Sequence, residues 1–167
     1  MQNKELKVQQ ASPEALRGIG ELLDPTGATP AADSEVFSFW NDLSVGAFNG
    51  PVSFGMVNTK TADLTVPALE RHTETTETLV PLDSDIVLVL GPPTNGPDLP
   101  NQAEMVAIRV PQGQGVTLNK GAWHFIPLSA TGQPCRTLIA FRQGTPTNDL
   151  EVKELEKEGH PAYVAVL

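Results

Sequence analysis

The chain has 167 residues, of which 19% are charged, and it carries a formal net charge of −9 at pH 7. An acidic chain without a basic stripe is not typical of a nucleic-acid-binding protein. The longest apolar run, "IVLVL" at residues 86–90, is far shorter than the roughly 20 residues that a membrane helix needs. The composition therefore predicts one domain over residues 1–167 that binds neither nucleic acid nor membranes.

The cysteine content and the start of the chain bear on the compartment. Cys135 is the only cysteine, and no apolar secretion signal opens the sequence. A lone cysteine cannot form an intrachain disulfide, which fits a reducing compartment. We therefore expect a cytoplasmic protein.

The two ends of the chain are predicted to carry the helical parts of the fold. The segment "SPEALRGIGELL" has a good N-cap in Ser12 and a proline at the first helical position, so it predicts a short helix that leads into a strand. Residues 24–34, rich in proline and glycine, are predicted to form a flexible loop. The acidic tail, residues 147–167, is predicted to contain a short helix.

The rest of the chain reads as a succession of short strands. Eight segments are rich in Val, Ile, Phe and Thr and are separated by Gly, Pro, Asn and Asp, which is typical of β-structure. They are residues 35–40, 52–58, 77–82, 85–90, 104–110, 115–118, 122–127 and 136–142. Such a series predicts an all-β fold, either a closed barrel or a two-sheet jelly roll, because these folds leave few open edges.

Two distant segments have the spacing of a shared site. In "LERHTETTET", Glu70 and His72 are two residues apart and therefore point to one face of a strand, and Glu77 follows on or near the next strand. In "GQGVTLNKGAWH", His124 follows a turn that contains Gly121. Both spacings resemble the two signature segments of the cupins, a family of small β-barrels.

Two imidazoles and one or two carboxylates at a barrel mouth can do two kinds of chemistry. They can bind a divalent metal with positions left open for substrate, with Glu70, His72, Glu77 and His124 as the ligands. They can also act as acid and base without a metal. The alternative without function is that each histidine is a packed structural residue and that Glu77 lies on a solvated edge.

Five cations are candidates for binding a substrate carboxylate. An arginine can hold a carboxylate with two parallel hydrogen bonds, which makes Arg71, Arg109 and Arg142 candidates, and Lys60 is a further one. Lys120 precedes His124 within the second motif and is a candidate catalytic residue. The alternative is that all five are ordinary surface charges.

Longer stretches resemble the ureidoglycolate lyases, formerly called ureidoglycolate hydrolases. The matching stretches are "SPEALRGIGELLDP", "ALERHTETTETLVPL", "DIVLVLG", "QGVTLNKGAWHFIPL" and "FRQGTPTNDLEV", so the resemblance extends from about residue 6 to residue 153. It implies a cupin-like double-stranded β-helix, or jelly-roll, barrel that usually forms a homodimer. It also implies a carbon–nitrogen lyase of the amidine-lyase type, which cleaves (S)-ureidoglycolate to glyoxylate and urea in purine and allantoin catabolism.

The resemblance also implies roles for particular residues. His72 and His124 would be base, acid or metal ligands, and Glu70 would orient or ligate. Lys120 or Arg71 would meet the carboxylate of the small substrate. A divalent metal, nickel or another, has been associated with the family, and the sequence does not choose one.

The chain departs from the family pattern at several positions. Asn41, Asn119 and Phe125 stand where family members often have histidine, Lys120 replaces an arginine, and Thr73 replaces a proline. These differences leave open another small hydroxy or ureido acid as the substrate. They also leave open a metal-dependent cupin of another class, such as an isomerase or dioxygenase, and a non-enzymatic cupin that binds a small acid or sugar.

Overall fold

The computed structural model describes residues 2–167 and is built almost entirely of β-strands. The strands are β1 (Lys4–Gln10), β2 (Gly20–Leu23), β3 (Ala32–Asp33), β4 (Ser38–Phe39), β5 (Val52–Thr59), β6 (Thr65–Val66), β7 (Ala68–Arg71), β8 (Glu77–Pro81), β9 (Ile86–Gly91), β10 (Val106–Val110), β11 (Gly115–Leu118), β12 (Trp123–His124), β13 (Leu128–Ser129), β14 (Cys135–Arg142), β15 (Glu151–Glu154) and β16 (Tyr163–Val166). Within the described residues the only helix is the single turn α1 (Thr145–Asn148). The nearly all-β fold confirms the fold class predicted from the strand-like segments.

The strands form two large sheets and one small hairpin. The nine-stranded sheet has the order β15-β7-β12-β9-β10-β1-β16-β6, and β13 also pairs with β9. The five-stranded sheet has the order β2-β11-β8-β14-β5, and β3 pairs with β4. Most pairs are antiparallel, but β1 runs parallel to both β10 and β16.

The nine-stranded sheet is covered by apolar side chains on both faces. On β9, Ile86, Leu88 and Leu90 belong to a hydrophobic cluster that also contains residues of the five-stranded sheet, among them Leu79, Val116, Leu118 and Ile139. The alternate residues Val87 and Val89 belong to a second cluster on the other face. This double burial explains why β9 reads as a continuous apolar run. The space between the two sheets is where the polar residues of the two motifs meet.

The predicted N-terminal helix is wrong. The Oγ of Ser12 does accept the N–H of Ala15 at 3.1 Å, as a helix cap would, but residues 13–19 form successive turns. The carbonyl of Leu16 accepts the N–H groups of Ile19 and Gly20 at 2.8 and 3.0 Å, which closes the turns. Gly18, with φ of 77°, takes the left-handed conformation that ends a helical stretch. The chain therefore has one capped turn before it enters β2.

The predicted helix in the acidic tail is also wrong. The strand β15 pairs with β7, and β16 pairs with β1, so two stretches of the tail are strands. Leu155 and Tyr163 are buried in the second hydrophobic cluster, and "YVAV" alternates between buried and less buried positions as a strand does. Residues 24–34 form an exposed loop that ends in β3.

Candidate functional site

Two neighbouring strands and one strand of the facing sheet bring the polar residues of the two motifs together. Glu70 on β7 and His124 on β12 are directly opposite each other in the sheet register. His72 follows the end of β7 and lies on the same side as Glu70, as the spacing of two residues predicts. Glu77 begins β8 in the facing sheet and points to the same buried face as Leu79, two residues later. The four side chains meet at one end of the space between the sheets.

The four side chains are within a few ångströms of one another. The Nε2 of His124 lies 2.9 Å from the Oε2 of Glu77 and 3.5 Å from the Oε1 of Glu70. The Nε2 of His72 lies 3.5 Å from the Oε2 of Glu77. One ligand atom each from Glu70, His72 and His124 fall within 4.8 Å of one another, which is close enough for one metal ion. Glu70 is half-buried and the other three are buried.

Both imidazoles are oriented by backbone carbonyls. The Nδ1 of His72 lies 2.6 Å from the carbonyl oxygen of Asp149, and the Nδ1 of His124 lies 3.0 Å from that of Ala122. A carbonyl can only accept, so each ring donates its Nδ1–H outward. In the neutral ring this leaves the lone pair of Nε2 directed to the centre of the cluster. Histidine ligands of metals show this arrangement, with the other ring nitrogen donating to a carbonyl or carboxylate.

The centre of the cluster brings a carboxylate oxygen and an imidazole nitrogen together. The Oε2 of Glu77 and the Nε2 of His124 are buried and lie 2.9 Å apart, and neither has another hydrogen-bond partner within the described residues. With a neutral ring, two lone pairs would face each other at this distance, and either a proton on the ring or a divalent cation close by makes the contact favourable. The donor set of two imidazoles and carboxylates therefore fits a divalent metal.

Without a metal, the carboxylates hold a proton on His124. Burial alone would lower the pKa of His124, but the charge of Glu77 and the contacts with Glu70 and Glu77 outweigh it and raise the pKa to about 10. Burial alone would raise the pKa of Glu70, but the contact with His124 and the nearby imidazoles lower it below 4.5. The two shifts describe one attraction, between an imidazolium and the carboxylates around it.

A cavity of about 290 Å³ opens next to the cluster and has two unlike walls. The polar wall is the cluster, in which Glu70, His72 and Glu77 line the cavity and His124 contacts both carboxylates without lining it. The apolar wall consists of Gly55, Met56, Val57, Ile139, Phe141, Pro146 and Leu150. The ring of Phe141 meets the ring of His72 edge-on, with the centroids 5.8 Å apart. A small ligand in this cavity would contact charged groups on one side and hydrocarbon on the other.

The structure places Arg71 on the opposite face of the sheet. It lies between Glu70 and His72 in the sequence, so strand alternation directs its side chain away from the cavity. Its Nε donates to Glu151 at 2.7 Å, its NH2 donates to the carbonyl of Gly96 at 2.7 Å, and its guanidinium stacks 4.5 Å above Trp123. These contacts occupy the guanidinium N–H groups that would otherwise bind a substrate carboxylate.

The other four predicted cations also lie outside the cavity. Arg109 pairs with Asp85 at 2.8 Å, and Arg142 donates to the side chain of Asn148 at 2.9 Å. Lys60 is exposed and Lys120 lies half-buried in the turn before β12. Of the described residues that line the cavity, none is Lys or Arg. Their proposed roles in substrate binding stay predictions, and the geometry gives them no support.

Sequence reasoning missed two parts of the site. The carbonyl of Asp149 comes from the acidic tail, and no side-chain pattern can identify a carbonyl group as the partner of His72. The apolar wall comes largely from β5 and β14, which pair along their whole length. Their alternation indicates one buried face, but it does not tell which buried residues border a cavity.

Comparisons with known proteins identify a family. A family model described as "Ureidoglycolate lyase" matches residues 3–161, which is nearly the whole chain. No curated protein sequence shows a significant match. No helix in residues 2–167 is long and apolar enough to span a membrane.

Among solved structures, the chain is similar to the oxalate decarboxylase of Bacillus subtilis. The structure of that enzyme at pH 4.6 has 10% sequence identity and a TM-score of 0.45, over 65% of this chain and 25% of that chain. A mutant of the same enzyme has the same identity and TM-score, over 80% of this chain and 31% of that chain. The chain thus spans about a quarter to a third of these proteins. At this TM-score the similarity supports no conclusion about fold or reaction.

Proposed function

The chain belongs to the ureidoglycolate lyase family, an enzyme family, and we propose that it cleaves (S)-ureidoglycolate to glyoxylate and urea in the cytoplasm, as a step of purine and allantoin catabolism. The observation that carries the proposal is the cluster of two imidazoles and two carboxylates bordering a cavity within the region that the family model matches. The chemistry of the cluster suits an elimination that needs a proton acceptor, a proton donor and a positive charge.

The same cluster is proposed to hold a divalent metal, nickel or another. Glu70, His72 and His124 would bind it, because their ligand atoms lie within 4.8 Å of one another. A bound divalent cation would supply positive charge to stabilise the oxygen anion that develops in the reaction. Since no Lys or Arg lines the cavity among the described residues, the charge that meets the substrate carboxylate would also have to come from the cluster itself.

Glu77 is proposed to carry the proton during the reaction. Its Oε2 is buried and faces the cluster, and among the described residues it contacts no donor other than the two imidazoles, so it can accept a proton. It takes the proton from the substrate hydroxyl, and the electron pair of that O–H bond becomes the second bond of the glyoxylate carbonyl. The bond between the carbon of this new carbonyl and the urea nitrogen breaks, and the nitrogen takes up the proton from Glu77. One proton moves from oxygen to nitrogen, so the reaction balances without water.

The assay for this proposal is glyoxylate release from (S)-ureidoglycolate by the purified full chain. We expect turnover above the spontaneous rate, and Glu77→Gln should lower it by about 10²- to 10⁴-fold, the range for a general acid–base group. Glu21→Gln is the control, because Glu21 is an exposed glutamate of β2 that does not line the cavity. If the wild type releases no glyoxylate above the spontaneous rate, the proposed substrate is wrong. If Glu77→Gln keeps full activity, the proposed role of Glu77 is wrong.

A homodimer is proposed to form through β5, the edge strand of the five-stranded sheet. On one face of β5, Val52, Phe54 and Met56 are 39%, 71% and 51% exposed, and the strand has no charged residue. Monomeric proteins protect long edge strands with charges, so an uncharged apolar edge indicates a partner. The N–H of Gln143 donates to the carbonyl of Pro51, just before β5. Hydrogen bonding alternates along an antiparallel pair, so the odd-numbered residues of β5 bond to β14. The N–H and C=O groups of the even-numbered residues point away from β14, to the open edge of the sheet.

The proposed partner is a second copy of this chain. Two copies of β5 related by a two-fold axis would pair antiparallel and bury Phe54 and Met56 of both chains. Light scattering after gel filtration tests this directly. We expect a dimer for the wild type, a monomer for Phe54→Lys and a dimer for the control Val36→Lys, whose valine is 90% exposed elsewhere. A wild-type monomer at all concentrations would contradict the dimer, and a dimer in Phe54→Lys would contradict this interface.

A further inference from the structure

Asp149 does not line the cavity, yet it contacts the site from behind through both its side chain and its backbone. We propose that the carboxylate of Asp149 is a positioning group for His72. It fixes the proton on Nδ1 of that imidazole and thereby presents Nε2 as a lone pair to the centre of the cluster. The inference adds a residue to the site proposed above, and its test does not depend on which substrate that site converts.

The carboxylate of Asp149 holds the chain that follows His72. Its Oδ1 accepts the N–H of Thr73 at 2.8 Å and the hydroxyl of Thr73 at 3.2 Å. Its Oδ2 accepts the N–H of Glu74 at 3.0 Å. The residue is only 8% exposed, so these three bonds to a charged acceptor are shielded from water. The two residues after His72 are therefore fixed to residue 149.

The backbone of the same residue holds the ring of His72. The carbonyl oxygen of Asp149 accepts the Nδ1–H of His72 at 2.6 Å. On its other side, the N–H of Asp149 donates to the carbonyl of Thr145, which ties it to the end of α1. The carboxylate and the carbonyl of one residue thus hold the backbone after His72 and the imidazole of His72. Loss of the carboxylate leaves the ring dependent on a carbonyl that is no longer fixed to the strand carrying the ring.

His124 provides a contrast within the same site. Its Nδ1–H donates to the carbonyl of Ala122, only two residues earlier in the chain. That contact is local to β12 and the turn before it, so it needs no distant clamp. The partner of His72 is 77 residues away in the sequence. A change at Asp149 should therefore alter the tautomer of His72 and leave the contacts of His124 as they were.

The tautomer determines what the cluster can bind. With the proton on Nδ1, the Nε2 of His72 is a lone-pair donor toward the atoms that would surround a cation. With the proton on Nε2, an N–H would occupy that direction and the ring could not ligate through this atom. Groups that orient a ligating histidine in this way typically contribute 10- to 100-fold to metal affinity.

The experiment is nitrogen-15 NMR of the imidazoles in the metal-free full chain, recorded at a pH at which the spectrum shows a neutral His72 ring. We expect the wild-type His72 to carry its proton on Nδ1. Asp149→Asn, which keeps the size but replaces Oδ2 by a donor facing the N–H of Glu74, should give a mixture of tautomers. Titration with Ni²⁺ should show a 10- to 100-fold weaker affinity in this variant.

The matched control is Asp85→Asn. Asp85 also accepts a backbone N–H, that of Gln112 at 2.9 Å, and pairs with a side chain of another strand, but it contacts neither histidine. We expect it to keep the wild-type tautomer and Ni²⁺ affinity. Equal tautomers and equal Ni²⁺ affinity in the two variants would overturn the proposal. A wild-type His72 protonated on Nε2 would overturn it without any variant, so the test does not depend on Asp149→Asn folding.

These outcomes are separate from those of the lyase assay. If the wild type releases no glyoxylate but shows the expected His72 tautomer and Ni²⁺ affinity, the proposed substrate is wrong and the proposed role of Asp149 stands. If the enzyme is active and Asp149→Asn leaves the tautomer unchanged, the proposed function stands and the proposed role of Asp149 is wrong.

Discussion

The two walls of the cavity differ in how they are built. The polar wall is held by specific directional contacts, such as the 2.6 Å bond from His72 to the carbonyl of Asp149. The apolar wall, with Ile139 and Phe141 of β14 and Met56 of β5, is held by strand pairing and packing. The difference indicates that the polar wall supplies the chemistry and the apolar wall supplies shape and stability. Substitutions in the two walls should therefore have different measurable effects.

Removing the metal tests the polar wall as a whole and should have the largest effect. If Glu70, His72 and His124 hold a divalent ion, a chelator should reduce glyoxylate release to the spontaneous rate, and one added ion should restore it. The ion should also raise the free energy of unfolding by about 2.7 kcal/mol at 100 times its dissociation constant. Activity and melting temperature that do not respond to chelation or to added ions would show that the polar wall works without metal.

Removing one imidazole should have the next largest effect. His124→Ala deletes a buried ring that contacts both carboxylates, and we expect the rate of glyoxylate release to fall by at least about 10²-fold. His160→Ala is the control, because His160 is the third histidine and borders a different cavity, with Asn3, Glu156, Pro161 and Ala162. Equal losses in the two variants would mean that the effect is not specific to the polar wall.

The pH dependence of stability in the metal-free chain should also come from the polar wall. The pKa of His124 is raised from 6.5 to about 10, so its contribution is complete below pH 6.5 and is lost as the pH rises through about 10. The pKa of Glu70 is lowered from 4.5, so its contribution is present above pH 4.5 and is lost as the pH falls further.

The melting temperature of the metal-free chain should therefore decline from pH 6.5 toward pH 10. In His124→Gln this part of the profile should be flatter, since the ring that loses its proton is gone. Thermal melts of both proteins across this range check the expectation. Parallel profiles for the two proteins would contradict the raised pKa of His124.

Trimming the apolar wall should have the smallest effect, and on stability rather than chemistry. Ile139→Val removes one methylene from a side chain that is 5% exposed, so we expect a loss of about 0.5–1.5 kcal/mol in the free energy of unfolding. The rate of glyoxylate release should stay within a few-fold of the wild type. Ile108→Val, in the same hydrophobic cluster but outside the cavity, is the control. A large loss of activity in Ile139→Val alone would contradict the claim that the apolar wall contributes shape and stability but not chemistry.

The polar wall was more accessible to sequence reasoning than the apolar wall, for a geometric reason. The spacing of Glu70 and His72 fixes their common direction on a strand, so a short pattern was enough to group them. The same rule excludes Arg71 from the cavity, because it is the residue between them. The charge of Arg71 and its position next to the motif wrongly suggested a substrate contact. The alternation of side chains along the strand predicts its direction correctly.

The longer strands between residues 52 and 142 were predictable, whereas the ends of the chain and several short strands were not. Each of the eight predicted strands overlaps an observed one, because β-branched residues and turn formers alternate clearly there. The strand β1 was missed, since "KELKVQQ" exposes most of its residues and has no clear apolar alternation. The acidic tail looked helical, but pairing with β7 and β1 made it strand, and such partners lie far away in the sequence.

Because Cys135 is buried, its reaction with a thiol reagent can be used to measure local opening of the sheet. This only thiol of the chain begins β14, which pairs with both β5 and β8, and it is 1% exposed. Burial raises the pKa of the thiol, so the folded protein holds it in its unreactive form. A thiol-modifying reagent can react only when this part of the sheet opens, so the labelling rate measures how often this strand of the apolar wall separates from its neighbours.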